Sequence, residues 1–300
     1  MARVPHPIPY QGSKRRVAQQ ILAVLPRGKG RLIEPFAGSA AVTLAAAARD
    51  AFQHYLIGDA LEPLIAIWTL IAQNPEELIA RYGILWQAQL DDPRTTYDRI
   101  RSHFNATSDP AALLYLLARC VKASVRFNGE GKFNQSPDNR RLGMRPSILR
   151  SEIISAHALL RGRTEMRAAD FRETLAAARA DDVVYLDPPY QGVSGGRDRR
   201  YVSPLPVEEL VEELRRLNSR KVPFVLSYDG TRGERTYGRE LPSDLQVLRI
   251  PVVWGRSAQS TLSGRAETTV ESLYVSGPAR ATAERLGTVI RAQHQTALSV

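Results

Sequence analysis

The sequence has very little of the chemistry that binds metals or forms disulfides. Its 300 residues include a single cysteine, Cys120, which excludes an internal disulfide framework and a thiolate-rich zinc or iron–sulfur site. The five histidines are scattered without the spacing of metal ligands. No apolar run is long enough to span a bilayer, and residues 1–7 lack the apolar core of a secretory signal. We therefore expect a cytoplasmic protein that uses neither a metal nor a membrane.

Positive charge is what the chain has in excess. Its 41 lysines and arginines outnumber 31 acidic residues, which gives a formal net charge of +10. With 43% hydrophobic and 24% charged residues, the composition is that of a folded globular protein. A folded protein with this excess charge is expected to bind a polyanion, and we expect that polyanion to be a nucleic acid.

Strand and helix patterns alternate at both ends of the chain. Strands are predicted at residues 31–36, 55–58, 183–186, 224–227, 245–253 and 268–275, with helices at 14–25, about 41–49 and 207–217. Residues 62–125 and 147–160 are predicted to be helical, with Pro75, Pro93 and Pro110 placed where helices would begin. We expect one α/β domain from residues 1–61 and 161–300, with a mostly parallel sheet covered on both faces, and an inserted helical domain at 62–160.

The tetrapeptide Asp187-Pro188-Pro189-Tyr190 follows directly after the predicted strand at 183–186. Two prolines fix the backbone, so the Asp187 carboxylate and the Pro188 carbonyl can offer two acceptor oxygens to one amino group. The Tyr190 ring offers a stacking face. This combination suits an exocyclic amine of a base that has been taken out of its stack. Taken alone, the same four residues are equally well an ordinary turn after a strand.

A strand-to-helix turn of small residues, Glu34 to Ala40, lies upstream. Such a turn lets a ligand approach the backbone and the helix N-terminus closely. Asp59 ends the next predicted strand, at the distance along the chain where a ribose hydroxyl pair needs an acceptor. Together these residues predict an adenosine-containing ligand. They leave NAD and S-adenosylmethionine both open, although the turn lacks the full G-x-G-x-x-G spacing.

Several motifs, in this order along the chain, resemble the Dam-type family of DNA adenine methyltransferases. Residues 9–14 resemble an aromatic residue followed by Gly-Gly-Lys, with Ser13 in place of the second glycine. Residues 36–40 resemble F-x-G-x-G, with Ala40 in place of the last glycine. Residues 126–134 match R-x-N-x-x-G-x-F-N, and residues 187–190 are the catalytic motif. The resemblance covers most of the chain.

The resemblance implies a Rossmann-like methyltransferase sheet, S-adenosyl-L-methionine as the cofactor, and methyl transfer to the exocyclic amine of adenine in duplex DNA after base flipping. It makes Asp187, Pro188, Pro189 and Tyr190 catalytic. Its implied cofactor-binding residues are Tyr10, Gly12, Lys14, Glu34, Pro35, Phe36, Ala37, Gly38, Ser39, Ala40, Asp59, Asp170, Phe171 and Asp187. It implies a prokaryotic or phage protein that acts as a monomer or weak dimer, and it leaves open a cognate restriction endonuclease as a partner.

Residues 122–150 carry seven basic residues and two acidic ones, about half of the net charge. Basic side chains bind phosphates, and amides and arginines read base edges. A second basic cluster follows the catalytic motif, and we interpret it as a clamp on the DNA strand. The expected DNA-binding residues in these two stretches are Arg126, Asn128, Lys132, Asn134, Gln135, Asn139, Arg140, Arg141, Arg145, Arg197, Arg199 and Arg200. Solvated basic loops are the alternative interpretation.

Two other functions remain open from the sequence. Motifs similar to residues 187–190 serve several planar amines, so an RNA or cytosine amino-methyltransferase is one alternative. A DNA-binding relative that has lost catalysis is the other. The segment at 126–134 favours the first hypothesis, DNA adenine, and the intact residues 187–190 and Asp59 favour an active enzyme.

Overall fold

The computed structural model describes residues 3–189, 205–232, 235–237, 241–256 and 268–280. Strands in these ranges are β1 (Arg31–Glu34), β2 (His54–Asp59), β3 (Thr164–Ala168), β4 (Val183–Leu186), β5 (Phe224–Arg232), β6 (Arg235–Tyr237), β7 (Leu248–Arg256) and β8 (Thr268–Val275). Helices there are α1 (Ala18–Val24), α2 (Ala41–Ala47), α3 (Glu62–Gln73), α4 (Pro75–Ala88), α5 (Pro93–Thr107), α6 (Pro110–Arg119), α7 (Pro146–Leu160), α8 (Phe171–Ala176) and α9 (Val207–Ser219).

The strands form one sheet in the order β3-β2-β1-β4-β5-β8-β7, with β6 beside β5. Strands β1 to β5 pair in parallel, and β8 is antiparallel to both β5 and β7. The chain moves outward from β1 through β2 to β3 and then returns to the other side of β1 as β4. The carboxyl ends of β1 and β4 therefore form a topological switch point, which is where open α/β sheets bind ligands.

Side chains alternate between the two faces of this sheet. Leu32 and Val183 pack with α1 and α2 on one face, whereas Ile33 and Val184 pack with α8 and α9 on the other. Because both faces are covered, the middle residues of β1 and all of β4 are apolar. This arrangement confirms the expected α/β class and the mostly parallel sheet.

Helices α3 to α7 lie between β2 and β3 in the chain. Their apolar side chains form one hydrophobic cluster that also contains Ala40, Leu44 and Ile57 from α2, its cap and β2. The helical stretch thus packs directly against the part of the sheet that carries the turn between β1 and α2 at residues 36–40, which we call the ligand turn.

The helix starts predicted from three prolines are confirmed, because α4, α5 and α6 begin at Pro75, Pro93 and Pro110. The sequence analysis missed β3 and α8, both short and close to polar residues. The predicted helix at 14–25 is a 3-10 turn at Lys14–Arg16 followed by α1, and the first part of the predicted strand at 245–253 is a 3-10 turn at Ser243–Leu245. Among the described residues, no helix is both long enough and apolar enough to cross a membrane.

Candidate active site

Three carboxylates lie at the carboxyl ends of three adjacent parallel strands. Glu34 ends β1, Asp59 ends β2, and Asp187 follows β4. Because β1 pairs with β2 on one side and with β4 on the other, these acids share one edge of the sheet. We call Glu34, Asp59 and Asp187 the acidic edge. The cost of placing a carboxyl group at this edge is offset in a different way for each acid.

Asp187 is compensated by a buried lysine. The ammonium of Lys14 lies 2.7 Å from Oδ1 of Asp187, and only 6% of the lysine side chain is exposed. Lys14 begins the 3-10 turn that follows the N-terminal motif, so the pair joins that motif to the end of β4. A charge-assisted contact of this kind is strong and fixes the orientation of the carboxylate.

Glu34 is compensated by a proton. Its side chain is 3% exposed, and one oxygen, Oε2, accepts hydrogen bonds from the backbone N–H of Thr43 at 3.1 Å and from its hydroxyl at 2.6 Å. Burial raises the pKa of Glu34 to about 8, the bonds from Thr43 oppose that rise, and the nearby charges of Asp187 and Asp59 add to it. Glu34 is therefore largely protonated at neutral pH.

Asp59 is compensated by backbone amides. Its oxygens accept from the N–H of Gly38 at 3.0 Å and from that of Leu61 at 3.0 Å. Burial raises the pKa of Asp59, and the two backbone hydrogen bonds oppose this rise. A carboxylate oxygen has more than one lone pair, so the side chain keeps acceptor capacity for a ligand hydroxyl.

The turn between β1 and α2 has the left-handed backbone that lets it pass close to a ligand. Gly38 has φ +49°, and Ala40, the N-cap of α2, has φ +45°. A Cβ atom on Gly38 would lie 3.0 Å from the ring of Tyr10, so this glycine also makes room for the tyrosine. The hydroxyl of Ser39 donates to that of Ser13 at 2.7 Å. Residues 10–14 and 36–40, which are far apart in the chain, are thereby packed into one site.

Strand β3 brings a second aromatic group to the same edge. It pairs with β2, and the N–H of Ala169 donates to the carbonyl of Asp59 at 3.2 Å. The rings of Phe36 and Phe171 then stack, with centroids 5.1 Å apart. Asp170 caps α8 by accepting from the N–H of Arg172 at 2.9 Å. The structure thus brings together two predicted cofactor positions, Phe36 and Phe171, that lie far apart in the sequence.

Residues 126–145, which we call the recognition segment, begin with a small hairpin. Phe127 pairs with Phe133 across an isolated bridge. Oδ1 of Asn128 accepts from the N–H groups of Glu130 at 3.0 Å and Lys132 at 2.9 Å, so this amide oxygen holds the turn. Asn134, by contrast, is exposed, and its side chain is on the surface of the hairpin.

Asp138 organises the second half of the recognition segment. This buried carboxylate accepts from Arg140 Nε at 3.4 Å and from Arg141 Nε and Nη2 at 2.9 and 2.6 Å. These bonds, with those from the backbone of Arg140, lower the pKa of Asp138 to about 2. Both arginine side chains remain largely exposed, at 85% and 71%. They reach solvent while one acid fixes their position.

The remaining predicted DNA-binding residues differ in exposure and in whether their side chains are already hydrogen-bonded or ion-paired. Asn139 and Arg145 are exposed, Lys132 pairs with Glu130 at 3.1 Å, and the amide of Gln135 donates to the carbonyl of Val121 at 3.0 Å. Arg126 is half-buried. Four predicted residues lie outside the described part of the chain, namely Tyr190, Arg197, Arg199 and Arg200.

Sequence patterns did not indicate the buried residues that hold the ligand turn and the recognition segment in place through hydrogen bonds. Trp68 is fully buried, and its indole donates to the carbonyl of Gly38 at 3.0 Å. Arg119 is 2% exposed and donates to Gln89 at 2.7 Å and to the carbonyl of Asp138 at 2.6 Å. A threonine at position 43 of an otherwise apolar helix, and an arginine ending the apolar α6, were the signals available in the sequence. Trp68 gave none.

A model of the D12 class N6 adenine-specific DNA methyltransferase family matches residues 10–258. The Retron Ec67 DNA adenine methylase of Escherichia coli is 32% identical over 193 residues, which is 62% of this chain and 64% of that protein. The DNA N-6-adenine-methyltransferase of Escherichia phage P1 is 30% identical over 61% of this chain and 23% of its own length. The match thus spans less than two thirds of these two relatives.

A longer alignment reaches the DNA adenine methylase of Salmonella typhi, which is 25% identical over 92% of this chain and 96% of that protein. The family match begins at Tyr10 and includes the whole acidic edge, the ligand turn and the recognition segment. The resemblance seen in the sequence is confirmed: the chain belongs to the D12 class of N6 adenine-specific DNA methyltransferases.

Proposed function

We propose that this protein transfers a methyl group from S-adenosyl-L-methionine to the N6 amine of adenine in double-stranded DNA. The observation that carries the proposal is the position of Asp187. It lies at the carboxyl end of β4, at the switch point of the sheet, with its carboxylate fixed by Lys14 and with Pro188 directly after it. Family membership supports the same reaction.

The site residues fit the proposed cofactor chemically. Asp59 has acceptor capacity for the two ribose hydroxyls, and Phe36 and Phe171 form an apolar wall suited to an adenine ring. The left-handed turn at Gly38 and Ala40 leaves its backbone open to close approach. When bound, S-adenosylmethionine supplies an electrophilic methyl group beside a positively charged sulfur.

The chain's own contribution to the reaction is the placement of acceptor oxygens. The adenine amine is a weak nucleophile because its lone pair is delocalised into the ring. Hydrogen bonds from the amine to the Asp187 carboxylate and the Pro188 carbonyl localise that lone pair and stabilise the positive charge that develops on nitrogen. Holding the amine in place lowers the entropic part of the barrier. We propose that Tyr190 stacks on the flipped base.

DNA recognition is proposed for the inserted helices at 62–160 and for the exposed side chains of the recognition segment. Asn134, Asn139, Arg140, Arg141 and Arg145 are exposed there and carry the groups that bind base edges and phosphates. We propose action in the cytoplasm of a bacterium, where the substrate would be found. A cognate restriction endonuclease and a monomeric or weakly dimeric state stay predictions from the sequence.

The test is to incubate the protein with duplex DNA and methyl-labelled S-adenosylmethionine, and then to hydrolyse the DNA and identify the labelled nucleoside. We expect N6-methyladenine. Parallel reactions with RNA and with adenine-free duplexes test the two other amine substrates, and calorimetry with the cofactor tests binding without transfer.

Each other outcome selects a different function. Label on cytosine or in RNA would establish the alternative amino-methyltransferase. DNA binding without cofactor binding would establish an inactive relative. Sequencing modified genomic DNA from cells that express the protein would then define the methylated site.

A further inference from the structure

A small cavity of about 310 Å³ lies beside the candidate active site. It opens between the N-terminal segment and the end of the recognition segment, because Tyr10 and Ser13 line one side and Met144 lines the other. The carbonyl of Met144 accepts from the hydroxyl of Tyr82 at 2.7 Å, so that wall is held by α4. His6, Arg15 and Arg16 complete the charged and polar lining. We call this space the N-terminal cavity.

Its two arginines differ from Arg140 and Arg141 of the recognition segment. Arg140 and Arg141 are both ion-paired to Asp138, and Lys132 is paired to Glu130. Arg15 and Arg16 are exposed and have no hydrogen-bond or ion-pair partner within the described ranges. Two adjacent exposed cations at one cavity, neither of them in an ion pair with a described residue, are arranged to attract an anion.

The third basic residue of the cavity contributes no charge. Burial, together with the charges of Arg15 and Arg3, lowers the pKa of His6 to about 4. His6 is therefore neutral at physiological pH, and the positive potential of the cavity comes from the arginines.

The same 3-10 turn serves the reaction centre and the cavity. Lys14, its first residue, is buried against Asp187, whereas the next two residues face solvent at the cavity. Ser13, just before them, is hydrogen-bonded to Ser39 of the ligand turn. An anion in the cavity would thus be bound next to the catalytic carboxylate, on the side that leads to the recognition segment.

We propose that the N-terminal cavity binds a backbone phosphate of the substrate DNA through Arg15 and Arg16. The proposal rests on the proposed function and deepens it, because it adds a sequence-independent contact between the base-reading segment and the acidic edge. Phosphate contacts fix the register of the duplex and carry no sequence information. This contact would hold the strand while the target base is displaced.

The test compares two double variants that remove equal charge. Arg15→Ala/Arg16→Ala acts at the cavity. Arg27→Ala/Lys29→Ala is the control, because these exposed residues precede β1 and so lie at the opposite edge of the sheet. Affinity for a methylatable duplex and for an unrelated duplex is measured across a range of salt concentrations. Calorimetry with S-adenosylmethionine reports whether the active site is intact.

We expect the cavity variant to weaken binding of both duplexes about tenfold at moderate salt and to reduce the salt slope by about one, which corresponds to one phosphate contact. Cofactor affinity should not change. The control variant should bind DNA nearly as the wild type does. Arg15→Lys/Arg16→Lys should restore most of the affinity, because an ammonium group also binds phosphate.

Equal affinity and slope for the two alanine variants would overturn the inference while leaving the proposed function standing. Weakening confined to the methylatable duplex would also overturn it, because it would identify a base contact. If the wild type binds no duplex DNA, the proposed function fails first and the inference fails with it.

Discussion

The acidic edge and the recognition segment use charge in opposite ways. At the acidic edge each acid has its own compensating group: Lys14 for Asp187, Thr43 together with a proton for Glu34, and backbone amides for Asp59. In the recognition segment a single acid, Asp138, positions two arginines whose side chains remain largely exposed. The first arrangement fixes groups that must meet a small ligand. The second presents charge to a large and hydrated partner.

This contrast changes how the motifs are interpreted. At the acidic edge the motif residues at 10–14, 36–40 and 187 come together in one site. In the recognition segment the amide oxygen of the motif residue Asn128 accepts hydrogen bonds from the backbone of its own turn. A motif residue in a surface loop is thus as often needed to form the loop as to contact a partner, and only the geometry separates the two roles.

The largest effect is expected from Asp187→Asn, which tests the acidic edge directly. Removing the negative charge removes stabilisation of the amine in the transition state and breaks the ion pair with Lys14. We expect the rate of methyl transfer to fall about 10²- to 10³-fold. Affinity for S-adenosylmethionine should change little. Single-turnover kinetics and calorimetry measure the two quantities separately.

Asp244→Asn is the matched control, because Asp244 is an exposed carboxylate paired with Arg215 at 2.7 Å. It should transfer methyl groups as the wild type does. A rate for Asp187→Asn within about threefold of the wild type would show that the catalytic acceptor lies elsewhere, and the acidic edge would then be a cofactor site only.

A smaller effect is expected from Arg140→Ala/Arg141→Ala, which tests the other side of the comparison. Both side chains are exposed but share Asp138, so the local charge that they offer to DNA is partly neutralised. We expect about tenfold weaker DNA binding and a salt slope that falls by about one to two, with unchanged cofactor affinity. Salt-dependent binding assays check this. A change in cofactor affinity would show that the segment and the acidic edge are coupled.

The sequence predicted more of the acidic edge than of the recognition segment, for a physical reason. Strands β1, β2 and β4 are apolar runs that end on acids, and parallel strands bring such ends to one edge whatever lies between them. The ion pair of Lys14 with Asp187 could not be predicted from the sequence, because it depends on the path of the N-terminal segment rather than on a local pattern. The sequence analysis placed Lys14 only in the cofactor site.

Two other features could not be predicted from local sequence patterns. Strand β3 (Thr164–Ala168) has polar residues and none of the apolar run of a central strand, because it lies at the end of the sheet and pairs with β2 alone. The contact between Arg119 and Gln89 joins residues on different helices. In both cases tertiary packing decides the role, and local propensity does not.

A pH effect on stability is expected from Glu34. The folded chain holds its proton up to a pKa of about 8, whereas an ordinary glutamate with a pKa of 4.5 releases it much earlier. Between these values the folded state binds more protons than the unfolded state, so stability falls as pH rises from about 4.5 to about 8. The slope for one group is at most about 1.4 kcal/mol per pH unit.

Glu34→Gln should flatten this dependence, because the amide carbonyl still accepts from Thr43 but cannot ionise. Denaturant unfolding at a series of pH values measures it. Glu76→Gln is the control, since Glu76 is 60% exposed in an ion pair with Arg150. If Glu34→Gln and the wild type show parallel curves, Glu34 is ionised in the folded protein and the acidic edge carries more charge than we infer.

The smallest effect is expected from Ala40→Gly, which tests whether the left-handed backbone of the ligand turn destabilises the folded protein. Ala40 has φ +45° and ψ +38°, a left-handed conformation that costs an alanine about 1–2 kcal/mol. Glycine removes that strain but costs about 0.5–1 kcal/mol in unfolded-chain entropy, so we expect the free energy of unfolding, measured by thermal denaturation, to rise by between zero and about 1.5 kcal/mol. Ala46→Gly, within α2 and fully buried, should instead lose about 1 kcal/mol. Equal losses in both variants would mean that the Cβ of Ala40 contributes more through its packing in the hydrophobic cluster than the left-handed backbone costs.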